Sequence, residues 1–93
     1  MALTKQIVKG DVKYSSGNYK IDITCIVSDD GTECGRQSFS IDFKPGEDPT
    51  PAIKAMKVEM QKYVDHVVAE RELYHRAQLD AGITWLNANV TIV

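Results

Sequence analysis

The chain has few of the residues that build disulfide-rich or metal-bound small proteins. Its 93 residues include two cysteines, three prolines and one tryptophan. Two cysteines cannot supply the several bridges of a small secreted scaffold, and we expect Cys25 and Cys34 to be free thiols. No pattern of Cys and His has the spacing of a zinc site. The sequence therefore predicts no bound metal and no cofactor.

An excess of positive charge is also missing. The chain carries 11 basic and 13 acidic residues, a formal net charge of −2, and neither sign is gathered into an arm or a tail. Non-specific nucleic-acid binding requires clustered Lys and Arg that displace counterions. The basic residues expected on the outer sheet face alternate with aspartates, which indicates a solvated face and no nucleic-acid partner: Lys5, Lys9, Lys13, Lys20 and Arg36.

Long apolar runs are absent. No stretch approaches the roughly 18 apolar residues of a membrane span. The segment from Met1 to Lys5 lacks the apolar core of a secretory signal. We expect a protein that is neither secreted nor membrane-embedded and that stays in the compartment where it is made.

Recognisable catalytic motifs are missing as well. His66 and Glu70 have the i, i+4 spacing of two ligands on one helix face, but the HExxH pattern is absent, so a solvated ion pair is expected. His75 has no nucleophile-elbow motif to serve, and we place it at the surface or in an interface. The sequence thus predicts no catalytic residues and no small-molecule substrate, and favours a protein that is not an enzyme.

What the chain does have is a change of hydrophobic pattern. With 43% hydrophobic and 26% charged residues it is typical of one globular domain, residues 1–93. Apolar and polar residues alternate in segments 5–14, 19–28 and 36–43, as in β-strands with one apolar face. The pattern predicts an antiparallel meander whose turns lie at Gly17-Asn18 and at Asp29-Asp30-Gly31.

The faces of the three strands can be assigned from this alternation, and in the third strand Phe39, Ile41 and Phe43 face inward. In the first, it favours Val8, Val12 and Tyr14 on one face and leaves Ile7 as an exception. In the second, the odd positions are apolar, and the inward residues are Tyr19, Ile21, Ile23, Cys25 and Val27.

Helical spacing begins after the turn from Pro45 to Pro51. A first apolar stripe consists of Ile53, Met56, Met60, Tyr63, Val64 and Val67. It is interrupted at Arg71 and Gln78, and a second stripe, rotated by roughly 70°, holds Leu73, Tyr74, Ala77 and Ala81. Either the helix kinks near Ala69 or its second half faces a different partner.

The chain end returns to β-type residues. Gly82 is a plausible left-handed helix stop, and Val90 and Ile92 alternate with polar neighbours. The full prediction is an α+β fold of order β-β-β-α-β: a three-stranded antiparallel meander covered by one long helix and followed by a C-terminal strand. That strand could pair with strand 1, with strand 3 or with a neighbouring subunit.

The predicted fold cannot cover all of its apolar residues. A helix from Pro51 to Asp80 would be about 45 Å long, and strands of eight residues span about 27 Å. Surplus apolar surface is typical of an interface between proteins. We expect homo-oligomers or docking to other protein subunits, through Leu73, Tyr74, Ala77, Trp85 and Leu86.

Three segments carry a resemblance to a group of known proteins. They are the opening Met1-Ala2-Leu3-Thr4-Lys5, the meander through residues 19–32, and the polar helix from Ile53 to Leu79. Together they resemble small proteins encoded by tailed phages and prophages. The resemblance implies a virion structural or assembly component, found in the host cytoplasm or in the virion. A small binding module that inhibits or regulates a host protein by covering its surface is the alternative.

Overall fold

A computed structural model of the protein describes residues 2–92. The elements in chain order are β1 (Leu3–Ser15), β2 (Asn18–Asp29), β3 (Thr32–Phe43) and α1 (Thr50–Asn89). The strands form one antiparallel sheet in the order β1-β2-β3. The predicted α+β class and the meander are therefore confirmed.

Both turns of the meander have two residues in left-handed conformation. Ser16 and Gly17 have φ of 55° and 82°, and Asp30 and Gly31 have φ of 50° and 85°. Positive φ at both central positions defines the type I′ turn, whose twist matches that of the flanking strands. The first turn lies one residue earlier than the predicted Gly17-Asn18, because Asn18 already belongs to β2.

A bulge changes the phase of β1. Gly10 and Asp11 together lie opposite Asp22, so one extra residue enters the strand. A Cβ atom at Gly10 would come within 2.8 Å of the Asp22 carbonyl oxygen, which only glycine avoids. Before the bulge Ile7 faces the helix and Val8 faces outward, so the prediction that Val8 shares a face with Val12 and Tyr14 is wrong.

The bulge also moves two lysines. Lys5 pairs with Val27 and Lys9 pairs with Ile23, and directly paired residues of an antiparallel sheet point to the same face. Lys5 and Lys9 therefore lie on the helix side of the sheet, where the sequence had placed them outside. Lys13, which follows the bulge and pairs with Lys20, remains on the outer face.

The helix packs mainly on β2 and β3. The buried apolar side chains are Cys25, Val27, Ile41, Met60 and Val67. Gly35 on β3 lets α1 come close, because a Cβ atom there would lie 2.6 Å from the Tyr63 hydroxyl and 3.1 Å from a Val67 methyl. The inner face of β1 is left largely uncovered, and Ile7 and Tyr14 are 52% and 61% exposed.

The predicted C-terminal strand is wrong over the part of the chain that the structure describes. Helix α1 runs from Thr50 through Gly82 to Asn89 without interruption, and no break occurs near Ala69. Two side chains bond to the backbone one turn earlier: the Thr84 hydroxyl to the Asp80 carbonyl (3.0 Å) and the Asn89 amide to the Trp85 carbonyl (2.8 Å). Residue 93 lies outside the described residues.

Gly82 does not stop the helix because nothing there requires a left-handed residue. A glycine in a helix interior costs only about 1 kcal/mol relative to alanine. The apolar residues around it also recur at helical spacing, four, three and four residues apart: Leu79, Ile83, Leu86 and Val90. The alternation of Val90 and Ile92, which suggested a strand, is too short to outweigh this pattern.

The resulting molecule is a rod. It measures 78 × 20 × 18 Å, and its radius of gyration is 20.6 Å. A compact chain of this length would have a radius of gyration of about 12 Å. Despite its length, no helix within residues 2–92 is apolar enough over 18 residues to cross a bilayer.

Candidate functional site

The helix extends well beyond the sheet. His75 is the last partly buried residue of α1, and every residue in 76–92 is exposed. We call residues 76–92 the distal segment. At 1.5 Å per residue, its helical part projects about 20 Å past the sheet. A large fraction of the molecule's surface thus lies on one unsupported helix.

Four apolar side chains form a line along this segment. Leu79, Ile83, Leu86 and Val90 are 65%, 50%, 47% and 72% exposed. At about 100° per residue they fall within a sector of about 60°. Their four-three-four spacing is that of the apolar seam between packed helices. We call these four residues the distal stripe.

The structure distributes the five predicted interface residues around the helix. Leu86 belongs to the distal stripe, whereas Trp85 (61% exposed) continues the sheet-facing line of Met60 and Val67 beyond the sheet end. Leu73 and Ala77 lie on a third side, and all five residues are exposed. They do not form one patch, and their role in an interface stays a prediction.

Sequence reasoning missed Leu79, Ile83 and Val90 as members of this surface. The signal was present in their spacing. It was hidden because Gly82 was interpreted as a helix stop, which assigned the residues after it to a strand.

A second feature that the sequence did not reveal fixes the helix where the sheet ends. Asp29, the last residue of β2, has a side chain only 3% exposed. Its Oδ2 accepts hydrogen bonds from Arg71 Nε (3.0 Å) and from His75 Nε2 (2.5 Å). Its Oδ1 is buried without a hydrogen-bond partner among the described residues. We call Asp29, Arg71 and His75 the anchor.

The electrostatics of the anchor favour a charged carboxylate. The hydrogen bond from His75, together with that from Arg71, lowers the pKa of Asp29 although burial acts in the opposite direction. Arg71 also lies over the ring of Tyr74, 4.1 Å from its centroid, and the Tyr74 hydroxyl accepts a hydrogen bond from Gln78 (2.8 Å). The anchor therefore holds the helix in a fixed direction as it leaves the sheet.

The anchor could have been found from two details of the sequence. The inward positions of β2 are odd-numbered, and that series ends at Asp29. The first helical stripe is interrupted at Arg71, which was interpreted as a kink or a change of partner. An acid and a base that both interrupt apolar faces indicate a pair between those faces.

A groove runs along the uncovered side of the sheet. It has a volume of about 300 Å³ and lies between β1 and β2 on one side and α1 on the other. Its apolar lining includes Ile7, Ile23, Met56, Met60 and Val64, and its polar residues are Lys5, Lys57 and Gln61. Burial raises the pKa of the Cys25 thiol, which also lines the groove. The groove exists because α1 lies toward β3.

The remaining candidate groups are simple surface features. His66 and Glu70 form the predicted ion pair, with 2.9 Å between Nε2 and Oε1, and both side chains are well exposed. Within residues 2–92, no three His, Cys, Asp or Glu side chains are grouped so that they could hold a metal ion. Cys25 and Cys34 are free thiols, as predicted, and Cys34 donates a hydrogen bond to the Val27 carbonyl (3.4 Å).

Comparison of the chain with protein-family models, with curated proteins and with solved structures gave no match.

Proposed function

We propose that the protein is a non-catalytic structural or assembly protein that self-associates through its distal segment. The observation that carries this proposal is the distal stripe, four apolar side chains exposed on one side of an unsupported helix. Fully burying side chains of this size is favourable by about 1.5–3 kcal/mol each. The resemblance to tailed-phage and prophage proteins supports a role in a virion or in its assembly.

The total surface of the chain also supports association. Its accessible surface is 7035 Å². A compact monomer of 10.4 kDa would expose about 5,400 Å². The excess, about 1,600 Å², is comparable to the area that a standard protein interface buries.

The helix itself gives a third argument. In proteins most helical stability comes from tertiary packing of an apolar face. The distal segment has no sheet to pack on, contains a glycine, and has no basic residue in its last turn to offset the helix dipole. A partner that packs on the distal stripe would supply the missing stabilisation.

The test is the molar mass in solution, measured by light scattering after size exclusion over a hundredfold range of concentration. We expect a discrete oligomer for the natural chain and a monomer for the double variant Ile83→Glu, Leu86→Glu. The matched control is Ala55→Glu, because Ala55 is exposed on the same helix and lies on a side that faces neither the sheet nor the distal stripe. An oligomer that persists in the double variant, or a natural chain that is monomeric at every concentration, contradicts the proposal.

One observation favours a second candidate, a small binding module that regulates a host protein by covering its surface. The distal stripe is an exposed apolar line on one side of a helix, and helices of this kind fit apolar grooves of other proteins. A natural chain that stays monomeric throughout the concentration range would favour this candidate.

A further inference from the structure

We propose that the distal stripe of one copy docks in the groove of a second copy, and that the second copy reciprocates. The two α1 helices would then lie antiparallel about a two-fold axis. This inference rests on the proposed self-association and specifies its geometry.

The two surfaces match in spacing. Four α1 residues that line the groove, Ile53, Lys57, Met60 and Val64, are four, three and four residues apart, as are the residues of the distal stripe. This order reads the same in both directions, so an antiparallel register brings all four positions together. Each set also covers about 17 Å of helix axis. The resulting neighbours are Leu79 with Val64, Ile83 with Met60, Leu86 with Lys57, and Val90 with Ile53.

The two surfaces also face similar directions. The groove opens on the β1 side of α1, the side that carries Lys57, Gln61 and Val64. At about 100° per residue, the mean direction of the distal stripe lies about 40–50° from the mean direction of these three residues. It lies about 80° from the mean direction of Ile53, Lys57, Met60 and Val64, on the same side of the helix. Two helices that lie side by side along their length require such a shared side. A stripe on the opposite side of α1 would have made reciprocal docking impossible.

Charge complementarity points to the same arrangement. The carbonyl end of a helix carries a partial negative charge and is stabilised by nearby cations. The last turn of α1 has no basic residue of its own. In the antiparallel register it lies beside Lys57 of the second copy, a polar residue of the groove. The second copy therefore supplies a cation that the helix end lacks.

Pairing of the distal stripe with itself explains less. The stripe spans fewer than two heptads, and a coiled coil is indicated by apolar heptads sustained over three or four. Continuing the same spacing toward the sheet leads to Glu72 and Arg76, which are charged. Such a pairing would also leave the groove open in both copies. Reciprocal docking covers the groove and the distal stripe in both copies, because a two-fold interface repeats each contact.

Cysteine cross-linking distinguishes the two geometries. We would prepare Lys57→Cys and Leu86→Cys as separate proteins, mix them, and oxidise with oxidised glutathione. A docked pair has an effective concentration in the millimolar range, so the mixture should cross-link at least about tenfold faster than a mixture of unpaired positions. The control mixture is Lys62→Cys with Leu86→Cys, because Lys62 lies on a different side of the same helix. The natural chain shows the background from Cys25 and Cys34, which are buried and partly buried.

The outcomes separate this inference from the proposed function. Rapid cross-linking of the 57 and 86 mixture, with little in the control, supports reciprocal docking. Rapid self-linking of Leu86→Cys alone overturns it in favour of pairing of the distal stripe with itself and leaves self-association standing. An oligomer by light scattering with no fast cross-link in any mixture also overturns it. A monomer at all concentrations overturns both.

Discussion

At the residue scale, Gly35 of β3 and Gly82 of α1 should respond in opposite ways to substitution by alanine. At Gly35 the helix lies close to the sheet, and a Cβ atom there would lie 2.6 Å from the Tyr63 hydroxyl. A Cβ atom at Gly82 would meet no atom within 4 Å apart from the adjacent turns of its own helix. The same substitution at the two positions therefore separates the effect of crowding from the effect of backbone entropy.

We expect Gly35→Ala to lower the free energy of unfolding by about 1–3 kcal/mol, as overpacked cores do. Gly82→Ala should stabilise the helix by up to about 1 kcal/mol, because alanine loses less backbone entropy. Urea denaturation followed by circular dichroism measures both changes. A neutral Gly35→Ala variant would show that α1 does not pack against β3 at this distance.

The anchor makes the free energy of unfolding depend on pH. Because the pKa of Asp29 is lowered in the folded state, the carboxylate stabilises the fold fully above its ordinary pKa of about 3.9. That contribution is lost as the pH falls through the lower, folded pKa. Asp29→Asn should therefore reduce the urea midpoint at about pH 7, and its difference from the natural chain should shrink below about pH 4.

The matched control for the anchor is Asp42→Asn. Asp42 is exposed, so the substitution changes the net charge equally without touching a buried pair. If both variants lose stability equally and with the same pH dependence, the Asp29 contacts do not hold the helix.

The sequence predicted the inner face of β2 because apolar and polar residues alternate along that strand without exception. Each of its odd-numbered residues from Tyr19 to Val27 faces the helix. The sequence could not predict which residues of β1 share the face, because the bulge at Gly10 is decided by pairing with another strand. The anchor escaped for a related reason: Asp29 and Arg71 each look misplaced until the fold puts them side by side.

At the scale of elements, the helix has two parts with different roles. Residues up to His75 pack on the sheet or belong to the anchor, whereas the distal segment is exposed throughout. Sequence reasoning predicted the first part from its apolar stripe. It assigned the second part to a strand, because Gly82 was interpreted as the end of the helix. The four-three-four spacing of the distal stripe, which indicates a helix, was not recognised.

We expect a chain ending at Gln78 to keep its free energy of unfolding within about 0.5 kcal/mol, since it loses only exposed residues. A chain ending at Glu70 should be much less stable, because it also loses Arg71 and His75 from the anchor. Urea denaturation at low protein concentration makes the comparison. Equal stability of the two truncated chains would show that the anchor contributes nothing.

At the scale of the whole molecule, the rod shape is itself measurable. The monomeric Ile83→Glu, Leu86→Glu variant should give a radius of gyration near 20.6 Å by small-angle X-ray scattering. A value near the 12 Å of a compact chain would mean that the distal segment folds back on the sheet. The sequence indicated this overshoot of the helix, although it ended the helix at Asp80, nine residues too early.

The thin interior has a consequence for how the protein behaves in a cell. Among residues 2–92 only five apolar side chains are buried, although the molecule exposes 7035 Å². A partner that binds only the folded form adds stability in proportion to the logarithm of its concentration. If that partner is another copy, newly made chains are most easily degraded while they are scarce, and accumulation protects them by mass action. The amount of protein present would then decide how long each copy survives.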